Sequence, residues 1–110
     1  MAGQLVVTWQ NEGGQNCEKS FFSPFVIGRD YTADVRLADD RVSRRHLRVF
    51  PKGNNWCIKD LNSLNGTYVG GEQIDERTID DAIECALHRD GPKVMFKVRL
   101  ANETQCTVAK

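Results

Sequence analysis

Leu47-Arg48-Val49-Phe50-Pro51-Lys52-Gly53-Asn54-Asn55-Trp56-Cys57-Ile58 is the stretch that decides the fold. Leu47 and Val49 are apolar with Arg48 between them, and Trp56 and Ile58 repeat the alternation. Pro51 to Asn55 lies between the two runs and carries turn chemistry. A period of two sends successive side chains to opposite faces, so each run reads as a strand with one buried face. The same period recurs on both sides of this unit. Leu5, Val7 and Trp9 alternate, as do Val35 and Leu37, and then Val94, Phe96, Val98 and Leu100. Gly13-Gly14, Gly70-Gly71 and Asp90-Gly91-Pro92 punctuate the runs. Many short strands separated by turns predict an all-β sandwich or barrel.

One segment conflicts with that pattern. From Asp75 to His88, the residues Ile79, Ile83 and Leu87 fall at helical spacing, and Thr78 with Asp81 would form a capping box. Read locally, 75–88 is a helix. The competing reading puts Ile83 and Cys85 on one face of another short strand.

Bulk properties narrow the function. The chain has 110 residues, the size of one domain, expected to span 1–110 and to be a module of the kind fused into longer proteins. Hydrophobic residues make up 40% and charged residues 27%, ordinary values for a globular domain. Lys+Arg and Asp+Glu each number 15, so net charge gives no reason to expect nucleic acid or an anionic membrane. No apolar run is long enough to span a bilayer. Met1-Ala2-Gly3-Gln4 is not a secretory signal, and Gly3 does not follow the initiator methionine, so no myristoylation motif is present. The expected location is the cytoplasm, or the nucleus in a eukaryote. Cys17, Cys57, Cys85 and Cys106 contain no C-x-x-C pair, so no metal site and no cofactor is expected. They read as reduced, mostly buried thiols.

The neutral total hides local clusters. Arg41, Arg44, Arg45 and Arg48 stand together without an acid among them, whereas Glu72, Asp75, Glu76, Asp80, Asp81, Glu84 and Asp90 crowd a later stretch. Gripping a phosphate monoester without metal needs a guanidinium for charge-assisted contacts. It also needs hydroxyl or backbone N–H donors on loops of a rigid scaffold. A side-chain amide can hold a peptide main chain beside it. Three patches offer these groups: Ile27-Gly28-Arg29-Asp30, Val42-Ser43-Arg44-Arg45-His46, and Asp60-Leu61-Asn62-Ser63-Leu64-Asn65-Gly66-Thr67-Tyr68-Val69.

In this order and spacing, the patches closely resemble the forkhead-associated domain family, whose pattern is a Gly-Arg, then Ser-x-x-His, then Asn-Gly. Here these are Gly28-Arg29, Ser43-Arg44-Arg45-His46 and Asn65-Gly66, with Trp56, Ile58, Asp60, Leu61 and Ser63 also in family-like positions. The resemblance is strong from about Val26 to Val69 and weaker elsewhere. It implies a two-sheet sandwich of about eleven strands, with binding loops at one end and the termini at the other. It also implies strand and loop after Val69, against the local helix reading of 75–88.

The implied function is phosphothreonine-dependent binding of protein segments in Ser/Thr-kinase signalling, with no catalysis. Arg29 and Ser43 would hold phosphate oxygens, Arg44 would add a cation, and Asn65 would clamp the peptide main chain. Gly28, Gly66 and His46 would be structural. Arg41, on a loop that in the family often reads the third residue after phosphothreonine, would favour an acid there. Leu64 departs from the family, where Thr or Ser often bonds the phosphate, so one contact would be lost.

Rival readings use the same residues. Ser43, His46 and Asp60 would form a catalytic triad, but no nucleophile elbow or oxyanion hole accompanies them. The Arg41–Arg48 cluster would bind nucleic acid, but no reader motif is present. A sandwich could also bind protein without phosphate, because a fold does not dictate a function. Trp56 and Tyr68 read as core, and His88 as a surface residue.

Overall fold

The computed structural model describes residues 3–99. Eleven strands follow one another: β1 (Gln4–Gln10), β2 (Asn16–Phe21), β3 (Phe25–Gly28), β4 (Val35–Arg36), β5 (Leu47–Lys52), β6 (Asn55–Asp60), β7 (Thr67–Val69), β8 (Glu72–Ile74), β9 (Glu76–Ile79), β10 (Ala82–Ala86) and β11 (Lys93–Arg99). They form a six-stranded sheet, β2-β1-β11-β10-β7-β8, and a five-stranded sheet, β4-β3-β5-β6-β9. Pairing is antiparallel except between β3 and β4. The all-β two-sheet sandwich expected from the sequence is therefore what the chain forms.

Alternation dictates which residues meet. β5 and β6 pair Leu47 with Asp60, Val49 with Ile58 and Pro51 with Trp56. Inward faces supply Leu5 and Val7 from β1, Leu47 and Val49 from β5, Trp56 and Ile58 from β6, and Val94, Phe96 and Val98 from β11. Phe25 joins the layers, stacked on Phe21 at 3.7 Å between ring centroids and tilted against Trp56 at 6.2 Å. Trp56 buries completely because its indole N–H finds the Gly3 carbonyl at 3.2 Å. Tyr68 is only half-buried, at the end of the β7 pairing with β10. His88 is also half-buried rather than open to solvent, and its Nδ1 accepts the Asp90 N–H at 3.0 Å. Cys57 and Cys85 are buried free thiols and Cys17 is half-buried; Leu100 and Cys106 lie outside the described residues.

The helix pattern over 75–88 is not a helix. Ile79 ends β9 in one sheet, opposite Trp56, while Ile83 and Cys85 sit on β10 in the other sheet, opposite Phe96 and Val94. Asp80 and Asp81 carry the chain across between the sheets, and the Asp81 carbonyl accepts the Val98 N–H at 2.8 Å. Two strands of period two, joined by a short crossing with both ends pointing inward, imitate a spacing of four. Thr78, the imagined cap, is a strand residue paired with Cys57.

Gln4 of β1 pairs with Arg99 of β11, so the two ends of the described chain lie side by side. The β4–β5 loop lies at the other end: the Arg41 guanidinium donates to the Asp90 carbonyl in the β10–β11 turn at 2.9 Å.

Candidate functional site

Three segments meet at that loop end: the close of β3, the β4–β5 loop and the β6–β7 loop. Gly28 makes the first meeting possible. A Cβ on it would lie 2.0 Å from the Arg44 carbonyl oxygen, so only glycine lets β3 end this close to the loop. Backbone bonds then fasten the two segments. The Arg29 N–H donates to Ser43 O (2.9 Å), the Asp30 N–H to Arg44 O (3.2 Å) and the His46 N–H to Ile27 O (3.0 Å).

His46 ties in the third segment. It is fully buried. Its Nδ1 accepts the Ser43 N–H at 3.1 Å, so the ring proton resides on Nε2, which donates to Gly66 O at 2.9 Å. Its own carbonyl accepts the Leu61 N–H at 2.9 Å. Burial pushes its pKa below the usual histidine value, favouring the neutral ring that the accepting Nδ1 requires, although the Gly66 carbonyl on Nε2 pulls the other way. Three segments are thus joined through one residue.

Asp60 shapes the β6–β7 loop from beneath. Its carboxylate accepts the hydroxyls of Ser63 and Thr67 and the Ser63 N–H. The Ser63 hydroxyl oxygen in turn accepts the Gly66 N–H at 3.0 Å. Gly66 adopts φ 85°, the left-handed region that glycine enters without strain, and Asn62 reaches φ 58°. The result is a pinned loop carrying Leu64 and Asn65. The Leu64 N–H donates to the Ser43 hydroxyl at 3.0 Å, and the Asn65 side-chain amide donates to Arg41 O at 2.7 Å.

Gly28, Arg29, Arg41, Ser43, Arg44, His46, Asn65 and Gly66 are thus brought together at one edge. Arg29 is held by a bond from its Nε to Val42 O at 2.9 Å, which leaves its terminal N–H groups free of partners among the described residues. Ser43 Oγ accepts from Leu64, so its single proton is available to donate outward. Arg44 is exposed and has no ion pair among the described residues. Two cations and a hydroxyl donor on fixed loops can cradle a phosphate dianion.

Arg41 is placed differently from a free reader. Its Nε and one terminal nitrogen form a fork on the Asp39 carboxylate at 2.9 and 2.8 Å. With help from the Arg41 backbone N–H, the fork holds the Asp39 carboxyl down at about 2. Arg36 was not singled out from sequence. Its Nε donates to Arg29 O at 3.1 Å, and the Val35–Leu37 alternation already turned it outward beside Gly28. Ser43, His46 and Asp60 are neighbours without forming a relay. The imidazole Nδ1 takes the Ser43 backbone N–H, not its hydroxyl, and Asp60 stands 3.9 Å from Nε2.

A family model described as FHA domain matches residues 25–82. The FHA domain-containing protein FhaB of Mycolicibacterium smegmatis is 41% identical over 74 residues, covering 67% of this chain and 47% of that protein. The solved FHA-1 domain of Mycobacterium tuberculosis Rv1747 is 34% identical with a TM-score of 0.75, covering 87% of this chain and 98% of that one. Mycobacterium tuberculosis EmbR, solved in complex with a low-affinity phosphopeptide, is 26% identical with a TM-score of 0.69, covering 87% of this chain and 25% of that one. The chain spans less than half the length of the FhaB and Rv1747 relatives it matches.

Proposed function

The chain belongs to the FHA domain family, and from that premise we propose that it binds threonine-phosphorylated protein segments, without catalysis, in Ser/Thr-kinase signalling. The observation that carries this reading is the convergence of Arg29, Ser43 and Arg44. Among the described residues, Arg29 presents free terminal N–H groups, Ser43 an unspent hydroxyl proton, and Arg44 an exposed cation, all on segments laced to one another. A phosphate dianion is the ligand that would use all three.

Asn65 holds the incoming main chain in this reading. Its amide now donates to Arg41 O, which fixes its direction while leaving its carbonyl oxygen free to accept a peptide N–H. Arg41 favours an acidic residue three positions after the phosphothreonine, in competition with Asp39. The phosphopeptide bound by the EmbR relative supports the ligand class. Among the described residues no helix is long and apolar enough to cross a membrane. We place the protein in the cytoplasm, where kinases would supply its ligands.

Fluorescence anisotropy with a phosphothreonine peptide, its unphosphorylated twin and its phosphoserine analogue tests the proposal. The phosphothreonine form should bind tightest. Arg29→Ala should weaken it by about 10- to 100-fold, the loss of one or two charge-assisted bonds. Equal binding of the phosphorylated and unphosphorylated twins would overturn the phosphate reading in favour of phosphate-independent protein binding.

A further inference from the structure

The proposed phosphate site has an apolar neighbour with no work inside the domain. Leu64 is 89% exposed, the most exposed large hydrophobic residue among those described. A lone exposed leucine is ordinary on a protein surface and by itself signifies nothing. The position of this one is what matters. Its N–H is bonded to the Ser43 hydroxyl, and the next residue, Asn65, is bonded to the Arg41 carbonyl. Behind it, Ser63 is bonded to Asp60 through both its N–H and its hydroxyl. Leu64 is therefore fastened by its own N–H and flanked by two bonded residues.

We infer that Leu64 is a specificity-determining residue, which selects an apolar side chain at the first or second position after phosphothreonine. The inference rests on the reading under Proposed function and adds to it a ligand class. Leu64 stands between Ser43, which would donate to the phosphate, and Asn65, which would hold the peptide main chain on the Arg41 side. A ligand anchored at both places passes beside Leu64, whose isobutyl group is open to it. Leucine offers that ligand no hydrogen bond, so a polar ligand side chain laid on it would lose water without compensation. An apolar one gains by burying both surfaces. Because the loop is already pinned, ordering it on binding adds little opposing entropy. The neighbouring cations, Arg44 and Arg45, are exposed.

The test uses the full chain and phosphothreonine peptides that vary the two positions after the phosphothreonine among Ala, Leu, Val, Asp and Ser, read by anisotropy. Wild type should prefer Leu or Val over Ala at one of these positions by about 5-fold, the effect expected from burying part of an aliphatic side chain. In Leu64→Ala that preference should fall below about 2-fold. The peptide with Ala at both positions should bind both proteins alike, and the melting temperature should be unchanged, because Leu64 buries nothing in the fold. Absence of the apolar preference in wild type, or its persistence in Leu64→Ala, overturns the inference. The unphosphorylated twin, run beside each peptide, reports separately on phosphate dependence, so failure of the parent reading cannot be mistaken for failure of this one.

Discussion

Arg41 illustrates what a residue's identity conveys and what it leaves out. The sequence offers an arginine on a basic loop two positions before Ser43, and the family resemblance implies a role there in reading an acid. The folded chain spends the fork of that guanidinium on Asp39, at 2.9 and 2.8 Å. Nothing in residue types separates a cation facing a ligand from one facing its own loop; side-chain geometry decides. An acidic ligand residue must therefore compete with Asp39 for an exposed contact worth about 0.2–1 kcal/mol. Asp39→Asn should release the fork and raise affinity for a peptide acidic at the third position by about 1.4- to 5-fold relative to its alanine twin. Added salt should erase the gain. Isothermal calorimetry of the two peptides against both proteins measures it, and identical ratios in both would show that Arg41 does not read that position. That Gly28, Arg29, Ser43, His46, Asn65 and Gly66 come together at one edge was more legible, because the bonds that lace their segments follow the spacing of short motifs.

At the level of elements, the close of β3 depends on one missing side chain. Alanine at Gly28 would push a methyl into the Arg44 carbonyl at 2.0 Å, and backbone must move to admit it. Overpacking of this kind destabilises by about 1–3 kcal/mol. Gly28→Ala should lower the urea midpoint accordingly. It should weaken phosphopeptide binding as well, since the Arg29-to-Ser43 and Asp30-to-Arg44 bonds cross that contact. Denaturation and anisotropy on the same preparation check both, and a stable variant with wild-type affinity would show that the approach is not needed. Elements were also where local sequence misled. The β9–β10 crossing imitates a helix because inward positions on two different sheets fall four apart, at Ile79 and Ile83. Strand pairing is set by partners distant in the chain, and no window confined to 75–88 contains Trp56 or Phe96. The Asp60–Ser63–Thr67 network was hidden for a related reason: its acid and hydroxyls look like ordinary loop polarity until their hydrogen bonds are seen.

The whole molecule carries a pH dependence through His46. Burial lowers its pKa in the folded chain, and both ring nitrogens are bonded in the neutral form. The unfolded chain has the ordinary histidine value of about 6.5. Between the lowered folded value and about 6.5, the unfolded state binds more protons than the native one, so stability rises with pH across that window. It is fully present above about 6.5 and is lost as pH falls toward the folded value. The urea midpoint should therefore decline on acidification from neutral pH, and phosphopeptide affinity with it, because the ring ties the β4–β5 loop to the β6–β7 loop. His46→Gln should be less stable at neutral pH yet show a flatter slope; an unchanged slope would assign the dependence elsewhere. The opposite end of the sandwich has a different consequence. Gln4 lies against Arg99 as one antiparallel pair, so the two ends of the described chain stand about 5 Å apart. A polypeptide interrupted by this fold would be detoured rather than lengthened, and the site would project from it like a lamp on a short bracket.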